Sequence, residues 1–317
     1  MKRMGSKVAL LASILLLLIT TACSTEGKEQ TSATDKQRVV ESVKGQVSIP
    51  AHPQRIIATT VTYPDYLYAL GIVPVAAENY HEQFASYFQG AFKDVIKLGN
   101  GTGPNFEKVL AAAPDLIIAS DWRDEAHYDQ LTQIAPTVLL KSQEEWRDEL
   151  REIAKVLNVS DKAEQVIQNY DQKIKEAKER LHTLIGDETV IYMRITPKGS
   201  VISGPLSGRG KVIHEELGLK TVDAFPKDEA GVEVSLEMLP KYNPDHFIIQ
   251  VDRGGDGEQA SKAYEAMADN SLWKSLKAVK NGHVYLVGDN EWFNFGFSPV
   301  ANVYAIDQII SEFEKSK

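Results

Sequence analysis

Two arginines and a handful of aromatic side chains are the residues whose types and spacing point to chemistry, and that chemistry is recognition. Arg209 stands in Gly208-Arg209-Gly210 ahead of a helix, where a side chain can project into a cleft; Arg194 ends a strand. Trp292, Phe293, Phe295 and Phe297 crowd one loop around Gly296, so they form either the wall of a pocket or a local core. Trp122 follows the strand Leu116–Ser120 and Tyr63 follows the strand Arg55–Thr59. Both therefore fall at the carboxyl ends of strands, where α/β sheets open their ligand crevices. Tyr80, Phe84 and Tyr87 read as packing. The motifs of catalysis are incomplete. Ser271-Leu272-Trp273-Lys274 has a Ser-x-x-Lys spacing without its Lys-Thr-Gly or Ser-Asp-Asn partners. Gly99, Gly101 and Gly103 have the wrong spacing for a dinucleotide loop, and Gly204-Pro205-Leu206-Ser207-Gly208 is not Gly-x-Ser-x-Gly. There is no His-Glu-x-x-His and no cysteine pair, and the seven histidines are scattered. The chain is read as no enzyme, with a lipoprotein hydrolase as the losing alternative.

The elements that position these residues alternate. Strands are expected over 55–59, 72–77, 95–98, 115–120 and 137–140, with helices over 64–70, 81–92, 105–113 and 128–135 between them. After residue 188 the alternation resumes, with strands over 189–194, 200–203, 246–251 and 283–287 and a closing amphipathic helix over 299–313. Such alternation argues for a mostly parallel sheet in each half. Between the halves lies Ser142–Ile185, charged, proline-free and without glycine until Gly186. Val166, Ile167, Tyr170, Ile174, Ala177, Leu181 and Leu184 recur there at steps of three and four, the stripe of an amphipathic helix. With Asp161 as N-cap, that helix runs roughly 35–40 Å at 1.5 Å per residue, long enough to join two α/β lobes.

The 317 residues suit two domains. Lys2, Arg3 and Lys7 precede an apolar run from Val8 to Ile19, then Thr20-Thr21-Ala22 leads to Cys23, the only cysteine. This is the build of a secretory signal peptide. It resembles the lipobox of bacterial lipoproteins, in which the cysteine becomes the lipidated first residue, although Thr20 stands where leucine is usual. Ser24 to Gln37 reads as a polar tether. Losing Lys2, Arg3 and Lys7 takes the formal charge from −9 to −12, a poor balance for binding nucleic acid.

Each half carries the same signature. Glu107 lies seven residues before Pro114, and Pro114-Asp115 opens an apolar strand; Glu237 lies seven residues before Pro244-Asp245, which does the same. With these paired units, the lipobox and the connecting helix, the chain resembles the siderophore-binding proteins of iron-uptake ABC transporters. The run from Asp269 to Tyr285 (Asp-Asn-Ser-Leu-Trp-Lys-Ser-Leu-Lys-Ala-Val-Lys-Asn-Gly-His-Val-Tyr) is characteristic of that family, as are Ile134-Ala135-Pro136-Thr137 and Ser235-Leu236-Glu237-Met238-Leu239. Ser207-Gly208-Arg209-Gly210 is similar to a segment of Gram-positive ferric hydroxamate binders whose arginine touches the ligand.

The resemblance implies two Rossmann-like lobes joined by a single long α-helix. It implies a signal peptide at 1–22, the lipidated Cys23, tether and edge strand over 23–50, an N-terminal lobe over 51–141, a helical linker over 142–187 and a C-terminal lobe over 188–317. It further implies a monomeric, lipid-anchored receptor on the extracellular face of the cell membrane that hands a ferric siderophore to an ABC permease with its cytoplasmic ATPase. Arg209, Arg194, Trp292, Trp122, Tyr63 and Phe293 would contact the ligand, and Glu107 and Glu237 would dock on the permease. The iron arrives already wrapped by the siderophore, so no metal ligand and no intrinsic cofactor is expected. A hydroxamate is the first choice of ligand; a catecholate, ferric citrate, haem or a corrinoid are the alternatives. A triscatecholate complex would want three or more basic groups, and beyond Arg194 and Arg209 only Lys211 and Arg123 are to hand.

Overall fold

The computed structural model describes residues 36–253 and 257–316. The expected leader 1–22, Cys23 and nearly all of the tether lie outside the described residues. A hairpin of β1 (Gln37–Ser42) and β2 (Gly45–Pro50) opens the described chain. The first large sheet follows: β3 (Ile56–Ala58), β4 (Ala76–Ala77), β5 (Ile96–Lys97), β6 (Leu116–Ser120) and β7 (Thr137–Leu140). Its order is β5-β4-β3-β6-β7 and every pairing is parallel. The second sheet holds β8 (Val190–Thr196), β9 (Gly199–Ser203), β10 (Gly231–Val234), β11 (His246–Val251) and β12 (Val284–Val287) in the order β10-β9-β8-β11-β12. Here β8, β11 and β12 are parallel, while β9 and β10 run antiparallel. β10 has no counterpart in the sequence reading; four residues at a sheet edge leave too short a period to notice. β3, β6, β7 and β11 are buried along their whole length, which is why they read as continuous apolar runs.

In both sheets the chain lays one strand, builds to one side of it, then returns to the other side. The order reverses between β3 and β6 in the first lobe and between β8 and β11 in the second. Crevices for ligands open at such switch points, at the carboxyl ends of the strands.

The main helices are α1 (Tyr63–Ala69), α2 (Phe106–Ala111), α3 (Trp146–Leu157), α4 (Ser160–Ile185), α5 (Gly257–Asp269) and α6 (Pro299–Lys315). α4 is the long helix linking the lobes; its 26 residues span about 39 Å. It buries Ala163, Ile167, Tyr170, Ala177, Leu181 and Ile185 at helical spacing. α3 and α4 share the stretch 142–185, parted by Asn158 in the left-handed region (φ 57°), which ends α3 where no glycine or proline announces a stop. The expected Asp161 cap is not made: α4 starts at Ser160 behind Val159, without a side-chain cap. One apolar core takes in α4, α6 and one face of both sheets, from Ile56 and Leu116 to Tyr192 and Ile248. The outer face of each sheet has a core of its own.

The helix expected over 81–92 is only a turn at Ser86–Phe88, ended by Gln89 and Gly90 at positive φ. Its aromatics pack on one another instead, with Phe88 and Phe92 stacked at 3.9 Å.

The paired Pro-Asp units are the same corner built twice. Ala113 and Asn243 both take positive φ ahead of the proline. The Asp115 carboxylate then accepts the N–H groups of Gln54 and Arg55 (2.7 and 2.8 Å), just before β3. The Asp245 carboxylate accepts the N–H and the hydroxyl of Thr189 (2.9 and 2.8 Å), just before β8. In each lobe the aspartate thus pins the strand beside the switch point. Burial pushes the Asp245 carboxyl up, but Lys277 and the two Thr189 donors outweigh it and hold the group at about 2.

Candidate functional site

A cleft of about 570 Å³ opens where the two lobes meet at the first switch point. The segment after β3 gives it Thr62, Tyr63 and Tyr66, and the end of β6 gives Ser120 and Trp122. The chain after β7 and the start of α3 give Gln143, Glu144, Trp146 and Glu149, and Leu206 and Phe297 face them from the second lobe. Three of these large side chains are left to solvent: Trp122 is 66% exposed, Leu206 59% and Phe297 43%. Tyr63 is buried at the floor with its hydroxyl on Glu149 Oε1 at 2.6 Å. Burial pushes both groups up, the Tyr63 phenol well above its ordinary value; for Glu149, the Tyr63 hydroxyl and the Gln143 N–H oppose the rise.

The arginine of the first switch point is spent within its own lobe. Arg123 donates to Glu78 Oε1 at 2.6 Å, to the Thr59 carbonyl at 3.0 Å and to the Gly101 carbonyl at 3.1 Å. Burial pushes the Glu78 carboxyl to about 7, against the pull of Arg123.

The second switch point is built differently. Arg194, near the end of β8, pairs with Asp252 just past β11 at 2.7 Å. Arg209 follows Ser207, whose hydroxyl accepts the Gly210 N–H and caps the turn Gly208–Gly210. Close packing selects glycine on either side of Arg209: a Cβ at Gly210 would stand 1.9 Å from the Gly204 carbonyl oxygen, and one at Gly208 2.9 Å from that of Gly296. The Arg209 guanidinium donates to the Phe293 carbonyl at 2.8 Å and lies 4.9 Å from the Phe297 ring. Its Nε, like that of Arg194, is buried with no partner among the described residues. Burial lowers the Arg209 pKa, and neighbouring Arg194 adds to the lowering.

A segment of the first lobe lies across this second site. Tyr80 stacks on Phe293 (centroids 3.7 Å apart, 15° between planes) and its hydroxyl donates to Asp252 at 3.3 Å. His81 Nε2 is 3.0 Å from Asp289 Oδ2. Nearer α1, Asp65 joins the lobes from a fully buried position. It accepts from Tyr87 (2.7 Å) in its own lobe and from Asn294 and Ser298 (both 2.8 Å) in the other. Burial pushes the Asp65 carboxyl to about 6, against those three donors.

Of the residues singled out from sequence, Tyr63 and Trp122 line the cleft. Arg194, Arg209 and Phe293 gather at the second switch point, joined to the cleft through Phe297. Trp292 is a correction. It has no exposed surface, stacks on Tyr192, packs at a tilt against Phe295 and donates to Gln308, so it is core and no cleft wall in this structure. Its loop begins with a helical turn, Asp289–Trp292, that swings the indole inward. Tyr80, read as packing, bridges the lobes. Tyr66, Glu144, Trp146 and Glu149 line the cleft without standing out in the sequence; for Tyr66 the one signal is its place three residues after Tyr63 on the same helix. Glu107 and Glu237 are both exposed, each in the first helical turn of its repeated unit. Among the described residues no helix is long and apolar enough to cross a membrane.

The family model described as periplasmic binding protein matches residues 56–291. The chain belongs to that family. It is 33% identical to the Iron(3+)-hydroxamate-binding protein FhuD of Bacillus subtilis (strain 168), over 86% of this chain and 87% of that one. It is 32% identical to a second protein of that organism, named "Probable siderophore-binding lipoprotein YfiY", over 96% and 97%. Among solved structures, Staphylococcus aureus SirA complexed with staphyloferrin B superposes with a TM-score of 0.71 at 25% identity, covering 87% of this chain and 98% of SirA. The fold read from the sequence, two α/β lobes on one long helix, is the fold of this family, and the family is one of substrate-binding proteins, not of enzymes.

Proposed function

We propose that the chain is a lipid-anchored extracellular receptor that binds a ferric siderophore of the hydroxamate class in the cleft and delivers it to an ABC permease for iron import. The observation that carries this reading is Arg209, packed on the cleft-lining Phe297 with its buried Nε left without a partner among the described residues. A guanidinium suits the iron-bound oxygens of such a complex, and Trp122, Leu206 and Phe297 offer apolar surface to its shell. Three hydroxamates neutralise Fe(III), whereas three catecholates leave a strong negative charge. Glu144 and Glu149 in the cleft favour the neutral complex. The names of the relatives agree on iron carriers and differ on the carrier's chemistry.

In this reading residues 1–22 are the signal peptide and Cys23 carries the lipid. Residues 51–141 and 188–317 are the lobes, joined by 142–187. Arg209, Arg194, Tyr63, Trp122 and Phe293 serve the ligand. Glu107 and Glu237, one on the equivalent turn of each lobe, set the register on a two-lobed permease. The apolar core shared by both lobes keeps closure to a small hinge.

The test is tryptophan fluorescence of the protein from Ser24 onward, titrated with ferric ferrioxamine, ferrichrome, a ferric triscatecholate, ferric citrate and haem. Saturable quenching by a hydroxamate at submicromolar concentration is expected. Quenching by the catecholate or the citrate alone would move the ligand class, and silence with all five would remove iron uptake from the reading.

A further inference from the structure

At the amino ends of the second sheet, opposite the switch point, Glu188, His246 and His283 come together just before or at the start of β8, β11 and β12. One donor atom from each lies within 4.8 Å of the others. The hydrogen bonds around them fix which atoms those are. Ser316 Oγ donates to the Phe313 carbonyl (3.0 Å), and Tyr285 Oη donates to Ser316 Oγ (3.0 Å). Tyr285 has then used its only proton, so at 3.0 Å from His246 Nδ1 it must accept, and Nδ1 carries the hydrogen. In a neutral His246 this leaves a lone pair on Nε2, which faces the Glu188 Oε2 at 2.6 Å. Two acceptors at that separation need a cation between them. His283 is set the same way: its Nδ1 lies 3.2 Å from the Asp245 carbonyl, an acceptor, which again puts the lone pair on Nε2.

We propose that Glu188, His246 and His283 form a binding site for a divalent transition metal, with zinc the best match. Two imidazole Nε2 atoms and a carboxylate are a borderline-soft donor set that suits zinc and excludes magnesium and calcium. Metal-bound imidazoles regularly donate their other N–H to a carbonyl or a hydroxyl, and both Nδ1 atoms here do so. Access is open on one side: the His246 side chain is 2% exposed and that of Glu188 49%. The two rings stack 4.5 Å apart with 8° between their planes. Donors around a zinc ion stand about 3–3.5 Å apart at 2.0–2.2 Å bond lengths. On binding, the exposed Glu188 therefore draws back from its 2.6 Å approach and the half-exposed His283 turns inward, while His246 stays fixed. A bound ion would staple three neighbouring strands of the second sheet, on the side away from the ligand cleft, so this site stands independently of the siderophore reading.

The experiment uses the mature chain carrying Cys23→Ser, free of any affinity tag, equilibrated with zinc chloride in a competing chelator buffer. Uptake of one zinc per chain is expected, with a rise in Tm that magnesium does not reproduce and that fades as pH falls through the imidazole range. Glu188→Gln and His283→Gln should each weaken zinc about tenfold or more. Both positions are at the surface, and an unchanged Tm without metal shows that the variants fold. Failure to retain zinc, or retention equal in wild type and both variants, would overturn the site and leave a protonated His246 paired with Glu188.

Discussion

The two switch points are the same topological feature built with opposite commitments. At the first, the arginine is spent on a buried glutamate within its own lobe, and what faces the cleft is aromatic and acidic: Trp122, Tyr63, Glu149. At the second, Arg194 is paired with Asp252, but Arg209 is held by the Phe293 carbonyl rather than by a carboxylate, and a segment of the opposite lobe lies over the site. A duplicated frame, with its twin Pro-Asp corners, thus leaves apolar area on one side and, in Arg209, a cation held by a carbonyl on the other. A ligand with an apolar shell around anionic oxygens needs both.

The sharpest break in this comparison sets one tryptophan of each lobe against the other. Trp292→Ala empties a core site with no exposed surface and should cost about 3–5 kcal/mol in a urea melt. Trp122→Ala removes a side chain that packs on little and should stay within about 0.5 kcal/mol of wild type. Equal melting of the two would place Trp122 in the fold and remove it from the cleft surface.

Next comes the clamp between the lobes. Asp65 has a folded pKa of about 6 against an ordinary 3.8, so the native state holds the proton more tightly than the unfolded chain. Its contribution is whole below about pH 4 and is lost as pH rises to 6. Over that window wild type should lose on the order of 2–3 kcal/mol relative to Asp65→Asn. Parallel stability curves for the two proteins between pH 4 and 7 would contradict a carboxylate whose burial outweighs its three donors.

Arg209→Ala should weaken the ligand by about ten- to a hundredfold, the range for a hydrogen bond to a charged group. Tyr80→Phe, which removes one hydroxyl at 3.3 Å from Asp252 and keeps the stack on Phe293, should change affinity by less than about tenfold. If Tyr80→Phe were the larger effect, the cover over the second switch point would matter more than the cations beneath it.

Much of the frame was legible because it rests on period and punctuation. Buried parallel strands show as apolar runs, α4 as a stripe, and the Pro-Asp corners as a spacing that recurs. Asn158 ended a helix where the pattern ran on, since a left-handed asparagine leaves no mark that an exposed asparagine lacks. Residues 81–92 have helical spacing, but their aromatics found each other and the other lobe. The site was legible in half. Tyr63 and Trp122 follow from strand ends, whereas the burial of Trp292 depends on its packing against Tyr192 of the second sheet, and Glu149 depends on where α3 packs; neither is local in sequence.

The most direct test of a ligand shared between the lobes is equilibrium dialysis. Wild type, Trp122→Ala and Arg209→Ala are compared with whichever ferric complex binds best, read by the absorbance of the complex. Weaker binding in both variants, with both folded, is the expected result. Wild-type affinity in either one would mean that the ligand rests on a single lobe.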